Sequence, residues 1–157
     1  MKRHLAYLKY VLRHKGFVFR AGLRLNVPLW QLVVHDWHKF TPSEWGPYAR
    51  TFYRADGTKK YEPDPLFDQA WNSHQKRGKH HWQYWLLTYD KGTTKPLRIP
   101  RKYVLEMVAD WSGAGWAISG NSNPLSWYLK NETQIQLHPD TRAEVRELLY
   151  LGNFHHA

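Results

Sequence analysis

The sequence predicts an all-α fold, a compact helical bundle with a small β-hairpin around residues 84–99. Three observations predict it. Apolar residues recur at helical spacing in several segments, prolines sit where helices open, and only one segment reads like paired strands.

Taken in order, residues 3–14 place Leu5, Leu8, Val11 and Leu12 on one helical face with Lys and Arg between them, so the chain opens on an amphipathic helix. A second helix is expected from about 28 to 37, with Pro28 at its first position after Asn26 or Val27. "TPSE" at 41–44 reads as a capping box, Thr41 capping, Pro42 opening and Glu44 reaching back. "DP" at 64–65 suggests Asp64 as cap and Pro65 as the start of a helix that Gly78 ends. Pro100 opens a helix through "RKYVLEMVADW", and "HPDTRAEVRELLYLG" reads as a last helix ending at Gly152. Between them, "YWLLTYDKGTTKPLRI" gives two short strand-like runs around a "DKG" turn. Segments 54–63 and 119–126 read as loops.

The 157 residues are enough for one domain, 1–157, with a sizeable core, and no linker divides them. With 42% hydrophobic and 16% aromatic residues the chain is built to fold and is not a disordered basic tail. No apolar run is long enough to span a bilayer, and the N-terminal segment lacks the uninterrupted apolar stretch of a signal peptide, so no membrane partner is expected. Cysteine is absent, which excludes disulfides and thiolate metal cages and fits a cytoplasmic protein. Any metal must be held by His, Asp and Glu, a set suited to Mn, Fe, Co, Ni, Zn or Mg, as one divalent ion or two. The net charge of +10 attracts phosphates, nucleotides, nucleic acid or an acidic protein.

The chemistry concentrates in a few places. The apolar run in "LVVHDWHKFTPSEW" delivers His35 and Asp36 side by side. His14 is expected to close the first helix, His74 lies on the helix before Gly78, and His80 and His81 follow it. Glu106 and Asp110 are four residues apart and share a helix face. Such a mixture of imidazole and carboxylate suits a borderline metal and leaves positions free for water and substrate. Each element also has a plainer reading: a dipole-facing histidine at a helix end, solvated loop histidines, or Glu106 and Asp110 paired with Arg101 or Lys102. His4, His138, His155 and His156 are given no role.

The order His14, His35–Asp36, Asp110 resembles the HD-domain metal-dependent phosphohydrolases, which are all-helical. The blocks "HDWHKFTPSEW", "AWNSHQKRGKHHWQYW" and "EMVADWSGAGWA" are similar to a small HD-like branch often found in phage and bacterial genomes, over roughly residues 5 to 150. The resemblance implies an HD-domain-like bundle in which His14, His35, Asp36 and Asp110 bind metal, with His4 as an alternative to His14. It further implies that His74 with His80 or His81 holds a second ion, and leaves open which of the latter two does so. Attack of a metal-activated water on phosphorus would follow, on a nucleotide or another small phosphorylated compound. Lys39 is then placed to touch the phosphate, and Lys76, Arg77 and Lys79 to hold further phosphates. Glu44 or Glu106 is a general base or an orienter of a ligating histidine. Trp37, Trp71, Trp82 and Trp111 stack on a base or build the core. Two other functions fit the same residues: a di-iron HD-type oxygenase, and a basic, aromatic-rich module that binds nucleic acid or protein around a structural metal.

Overall fold

The computed structural model describes residues 1–152; His155 and His156 lie outside the described residues. It has seven α-helices and one two-stranded hairpin among the described residues, so the all-α expectation with a small hairpin is borne out. The helices are α1 (Lys2–Arg24), α2 (Leu29–Val34), α3 (Pro42–Phe52), α4 (Phe67–Arg77), α5 (Arg101–Ser119), α6 (Pro124–Asn131) and α7 (Pro139–Leu151). The hairpin pairs β1 (Leu86–Thr88) with β2 (Thr94–Pro96), Leu86 opposite Pro96 and Thr88 opposite Thr94. Short 3-10 turns at Trp37–Phe40 and Trp82–Trp85 connect the chain on either side of α3 and α4.

Several boundaries differ from the sequence reading, each for a physical reason. The first helix does not stop at His14 but runs ten residues further, through an exposed Gly16. Val18 and Ala21 continue its buried face against α5 and Gly22 against Leu32 of α2, and that packing outweighs the glycine's helix penalty. It ends in a Schellman motif: Asn26 takes φ +57°, its N–H donates to the Leu23 carbonyl, and the Val27 N–H donates to that of Gly22. Helix α2 is shorter than expected and stops before His35. Lys15 donates to the carbonyls of Val33 and His35, satisfying that end.

The capping box at 41–44 does not form. Thr41 Oγ1 donates to the His38 carbonyl instead, and Glu44 points inward and is fully buried. Asp64 caps a turn and not the helix itself: its Oδ1 accepts from Leu66 N–H at 3.0 Å, and α4 begins at Phe67. The segment expected to be a loop at 119–126 is only partly one. Asn123 Oδ1 accepts from Ser126 N–H at 2.9 Å and Pro124 opens α6.

The core lies in three adjoining clusters. Val104, Met107, Val108, Tyr128, Val145 and Leu149 join α5, α6 and α7. Tyr7, Val11, Tyr48, Ala49 and Ala70 join α1, α3 and α4. Val18, Ala21, Leu32, Leu105 and Ala109 seal α1, α2 and α5 together. The α1–α5 pair is the spine of the molecule, and it closes over Gly113. A Cβ at Gly113 would lie 2.7 Å from the Val18 backbone nitrogen, where no rotamer change can relieve it. Gly113→Ala is therefore expected to cost about 1–3 kcal/mol and to lower the melting temperature by several degrees in a thermal denaturation experiment. An unchanged melt would show that the helices can part there freely.

Candidate metal centre

Five elements deliver side chains to one buried point. α1 supplies His14 from its middle, one turn before its contact with Gly113 through Val18. The chain leaving α2 supplies His35 and Asp36, and Asp36 takes φ +55°, the left-handed region that Asp tolerates better than most residues. That turn lets two consecutive side chains face the interior. α4 supplies His74, the segment after Gly78 supplies His80 and His81, and α5 supplies Glu106 and Asp110 from one face. His14, His35, Asp36, His74, His80 and Glu106 are each 5% exposed or less.

Asp36 stands at the middle. Its Oδ2 lies 3.2 Å from His14 Nε2 and 3.5 Å from His35 Nε2. Its Oδ1 lies 3.3 Å from His74 Nε2 and 3.4 Å from His80 Nε2. Asp110 Oδ1 completes the first set at 3.1 Å from His14 Nε2 and 3.5 Å from His35 Nε2. The chain thus offers three donor sets, two of which share one carboxylate: His14, His35, Asp36 and Asp110 on one side, Asp36, His74, His80 and His81 on the other, and a smaller set of His35, His80 and Glu106.

A ring of carboxylates behind the histidines sets their orientation. Glu106 Oε1 accepts from His35 Nδ1 at 3.0 Å and lies 3.3 Å from His80 Nδ1, while its Oε2 accepts from Gln31 Nε2 at 2.6 Å. Glu44 Oε2 accepts from His74 Nδ1 at 2.9 Å. A carboxylate only accepts, so Nδ1 of these rings carries a proton, and Nε2 is the nitrogen turned to the centre, where it can offer a lone pair once its own proton leaves. His35 and His14 bring their Nε2 atoms to 3.4 Å of each other. Buried without a hydrogen-bond partner are Asp36 Oδ1, His74 Nε2, His80 Nε2 and His81 Nε2. Buried polar atoms are normally paired, so convergent orphans of this kind fit a cation. Ligands about 2.1 Å from an ion lie about 3–3.4 Å from one another, close to the separations of Asp36 from His14, His35, His74 and His80. The centre could hold a metal ion.

The electrostatics agree with that chemistry. Burial alone would raise the Asp36 carboxyl, but Lys39 and the surrounding histidines hold it well below the usual range. Asp110 is likewise held low against burial by His14 and His35. Burial opposes the charge on His80, yet the carboxylates of Asp36 and Glu106 beside it push it up to about 10; burial would raise Glu106, but His35 and His80 hold it at about 2. His35 and His74 are also raised against burial, chiefly by Asp36. His81 moves the other way, lowered by burial and by its cationic neighbours His80 and His74.

The remaining sequence candidates are placed as follows. Lys39 is buried, with Nζ 2.6 Å from Asp36 Oδ2. Arg77 and Lys79 line a pocket of about 290 Å³ whose floor includes His35, Asp36 and His80. Lys79 Nζ sits over the rings of Tyr84 and Tyr103. Lys76 does not join them and donates to the Gln83 carbonyl. Glu106 pairs with neither Arg101 nor Lys102; Arg101 pairs with Glu144. His4 lies away from the centre and accepts from Trp45 Nε1 at 2.9 Å. Trp37 is half exposed at the pocket wall, Trp71 stacks on His74, and Trp82 and Trp111 pack on the core.

Sequence reasoning missed Gln31, Trp30 and Tyr103. Gln31 precedes His35 by four residues, which is one face of the helix the sequence predicts from about 28 to 37, a spacing that could have found it. Trp30 and Tyr103, which line the pocket, carry no local signal.

Fold and site together define an all-helical protein whose buried histidine–carboxylate centre is suited to a metal ion. The chain belongs to a family of unknown function (DUF5662), whose model matches residues 3–151. No curated protein and no solved structure matches it.

Proposed function

We propose that the protein is a metal-dependent phosphohydrolase of HD type, acting on a nucleotide or another small phosphorylated compound. The observation that carries this reading is the single carboxylate of Asp36, shared by two donor sets at the floor of a pocket with cationic walls. The order of His14, His35–Asp36 and Asp110 supports it through the resemblance to HD phosphohydrolases.

A bound divalent ion supplies Lewis-acid charge and acidifies water at that point. The side chains do the rest. Glu106 and Glu44 keep the imidazoles of His35, His80 and His74 in the ligating tautomer. Arg77 and Lys79 attract the phosphate at the mouth and stabilise charge on its oxygens. Trp30 and Tyr103 offer apolar faces for the organic part of the substrate. Lys39 neutralises the anionic end of the centre from the protein side. The oxygen of water would bond to phosphorus as the phosphorus–oxygen ester bond breaks, and the proton that this water gives up would end on the departing oxygen.

The test combines metal uptake with a substrate panel. Adding Mn, Fe, Co, Ni, Zn or Mg to metal-free protein near neutral pH is expected to release protons, because His35, His74 and His80 hold theirs more tightly than usual. Affinity should accordingly rise with pH up to the value near 10 set by His80. Loaded protein should then free phosphate or a dephosphorylated nucleoside from one member of a nucleotide panel. Iron-dependent oxygen consumption without phosphate release would favour a di-iron oxygenase and overturn the hydrolase reading.

A further inference from the structure

One face of α1 takes no part in the core or in the metal centre. Leu5, Leu12, Phe19 and Leu23 follow at intervals of seven, seven and four residues, so they form one row along the helix. They are between 36 and 54% exposed. Lys2, Lys9, Arg13, Arg20 and Arg24 follow at seven, four, seven and four, forming a second exposed row beside the first. None of these five cations makes an ion pair among the described residues. The cause is visible in the sequence, where seven Lys and Arg precede the first acidic residue, Asp36.

Helix α2 widens the apolar row. Lys15 lies three residues after Leu12 and four before Phe19, and its ammonium reaches the Val33 carbonyl, so α2 adjoins the apolar row and not the basic one. Leu32 faces inward against Gly22, which turns Leu29, Trp30, Val33 and Val34 outward. Val33 is 67% exposed, and Trp37 follows on the same surface.

We infer that this two-helix face docks on an anionic lipid bilayer, its apolar residues in the interfacial layer and its basic row on the headgroup phosphates. A helix lying in the interface needs an apolar row and flanking cations but no spanning length, so it is distinct from the membrane crossing that no helix among the described residues is long and apolar enough to make. Charge complementarity selects the occupant. A second copy would bring an identical face without a carboxylate to meet the five cations. Nucleic acid would meet the cations and could stack on Phe19, Trp30 and Trp37, but it would leave the larger aliphatic part of the face, Leu5, Leu12, Leu23, Leu29, Val33 and Val34, without a partner. An anionic bilayer answers both rows at once, and Trp30 and Trp37 suit its headgroup level. Trp30, Val34 and Trp37 also wall the pocket over the metal centre, so docking sets the pocket mouth at the lipid surface.

The test is co-flotation of the full chain with vesicles of phosphatidylcholine and phosphatidylserine in equal amounts, against phosphatidylcholine alone. Binding to the mixed vesicles only, weakened by salt, is expected. Arg13→Gln with Arg20→Gln should weaken it by roughly 25-fold, about fivefold for each charge removed. Leu12→Asp should weaken it as well. All three positions are exposed, so a thermal melt matching that of the parent shows that the fold survives. The inference is overturned if the protein stays unbound with both vesicle types at low salt, or if these variants float as well as the parent. It is equally overturned if Leu12→Asp proves instead to split a dimer, or if the arginines prove to be needed only for binding an oligonucleotide.

Discussion

Asp36→Asn is expected to abolish divalent-ion binding on both sides of the centre and any phosphate release with it. Among the described residues no other residue belongs to both four-residue sets: Oδ2 lies beside His14 and His35, and Oδ1 beside His74 and His80. Losing an anionic ligand should weaken affinity by more than the roughly 10- to 100-fold typical of an outer hydrogen-bond partner. The variant should also lose stability, because Lys39 is buried against this carboxylate. Breaking a buried ion pair from one side costs about 3–5 kcal/mol. Metal analysis, calorimetric titration and a thermal melt check the three effects. Asp110→Asn serves as a companion should the first variant fold poorly, and it should impair only the His14 side. Stoichiometric metal retained by a folded Asp36→Asn protein would sink the shared-ligand reading.

Glu106→Ala should have the next largest effect, of a different kind. This carboxylate lines the pocket beside His35 and His80; it takes hydrogen bonds from His35 and Gln31 and lies 3.3 Å from His80 Nδ1. Its removal frees two imidazoles, one on each side of Asp36, to turn or to change tautomer. Metal affinity is expected to fall by about 10- to 100-fold with the ion count at saturation unchanged. Each buried donor left unpaired costs about 1–3 kcal/mol of stability. Glu106→Gln keeps an accepting oxygen and should recover part of both losses. If Glu106→Ala removes turnover while leaving affinity and melting temperature intact, Glu106 is a general base and not a positioning residue.

Much of this was legible in the sequence, and what was not has identifiable causes. Pro100 and Gly152 marked α5 and α7 correctly because proline at a helix start and glycine at its end act locally. The helical spacing of Glu106 and Asp110 held for the same reason. The length of α1 was hidden because its second half is stabilised by packing on α5, a non-local term that overrides Gly16. Helix α6 was hidden behind the polar run "SGNSN", although Asn123 and Pro124 form a regular start.

At the site, His14, His35, Asp36, His74 and Asp110 stood out as an ordered set, but their convergence depended on the fold. Glu44 misled. Its spacing from Thr41 is that of a capping box, while the structure uses the carboxylate to hold His74 from across the interior. Local pattern could not reveal a partner thirty residues away. His80 and His81 could not be separated in sequence, and both offer nitrogens to the same set.

The donors of this centre come from positions 14 to 110, scattered over most of the polypeptide. Nothing short of the assembled bundle can present them together, so an ion resting there behaves as a reversible cross-link between remote stretches of chain. Ligation would therefore favour the native ensemble over every partly opened one by mass action. Resistance to proteolysis would then track cation concentration, giving a readout of occupancy that requires no knowledge of the substrate.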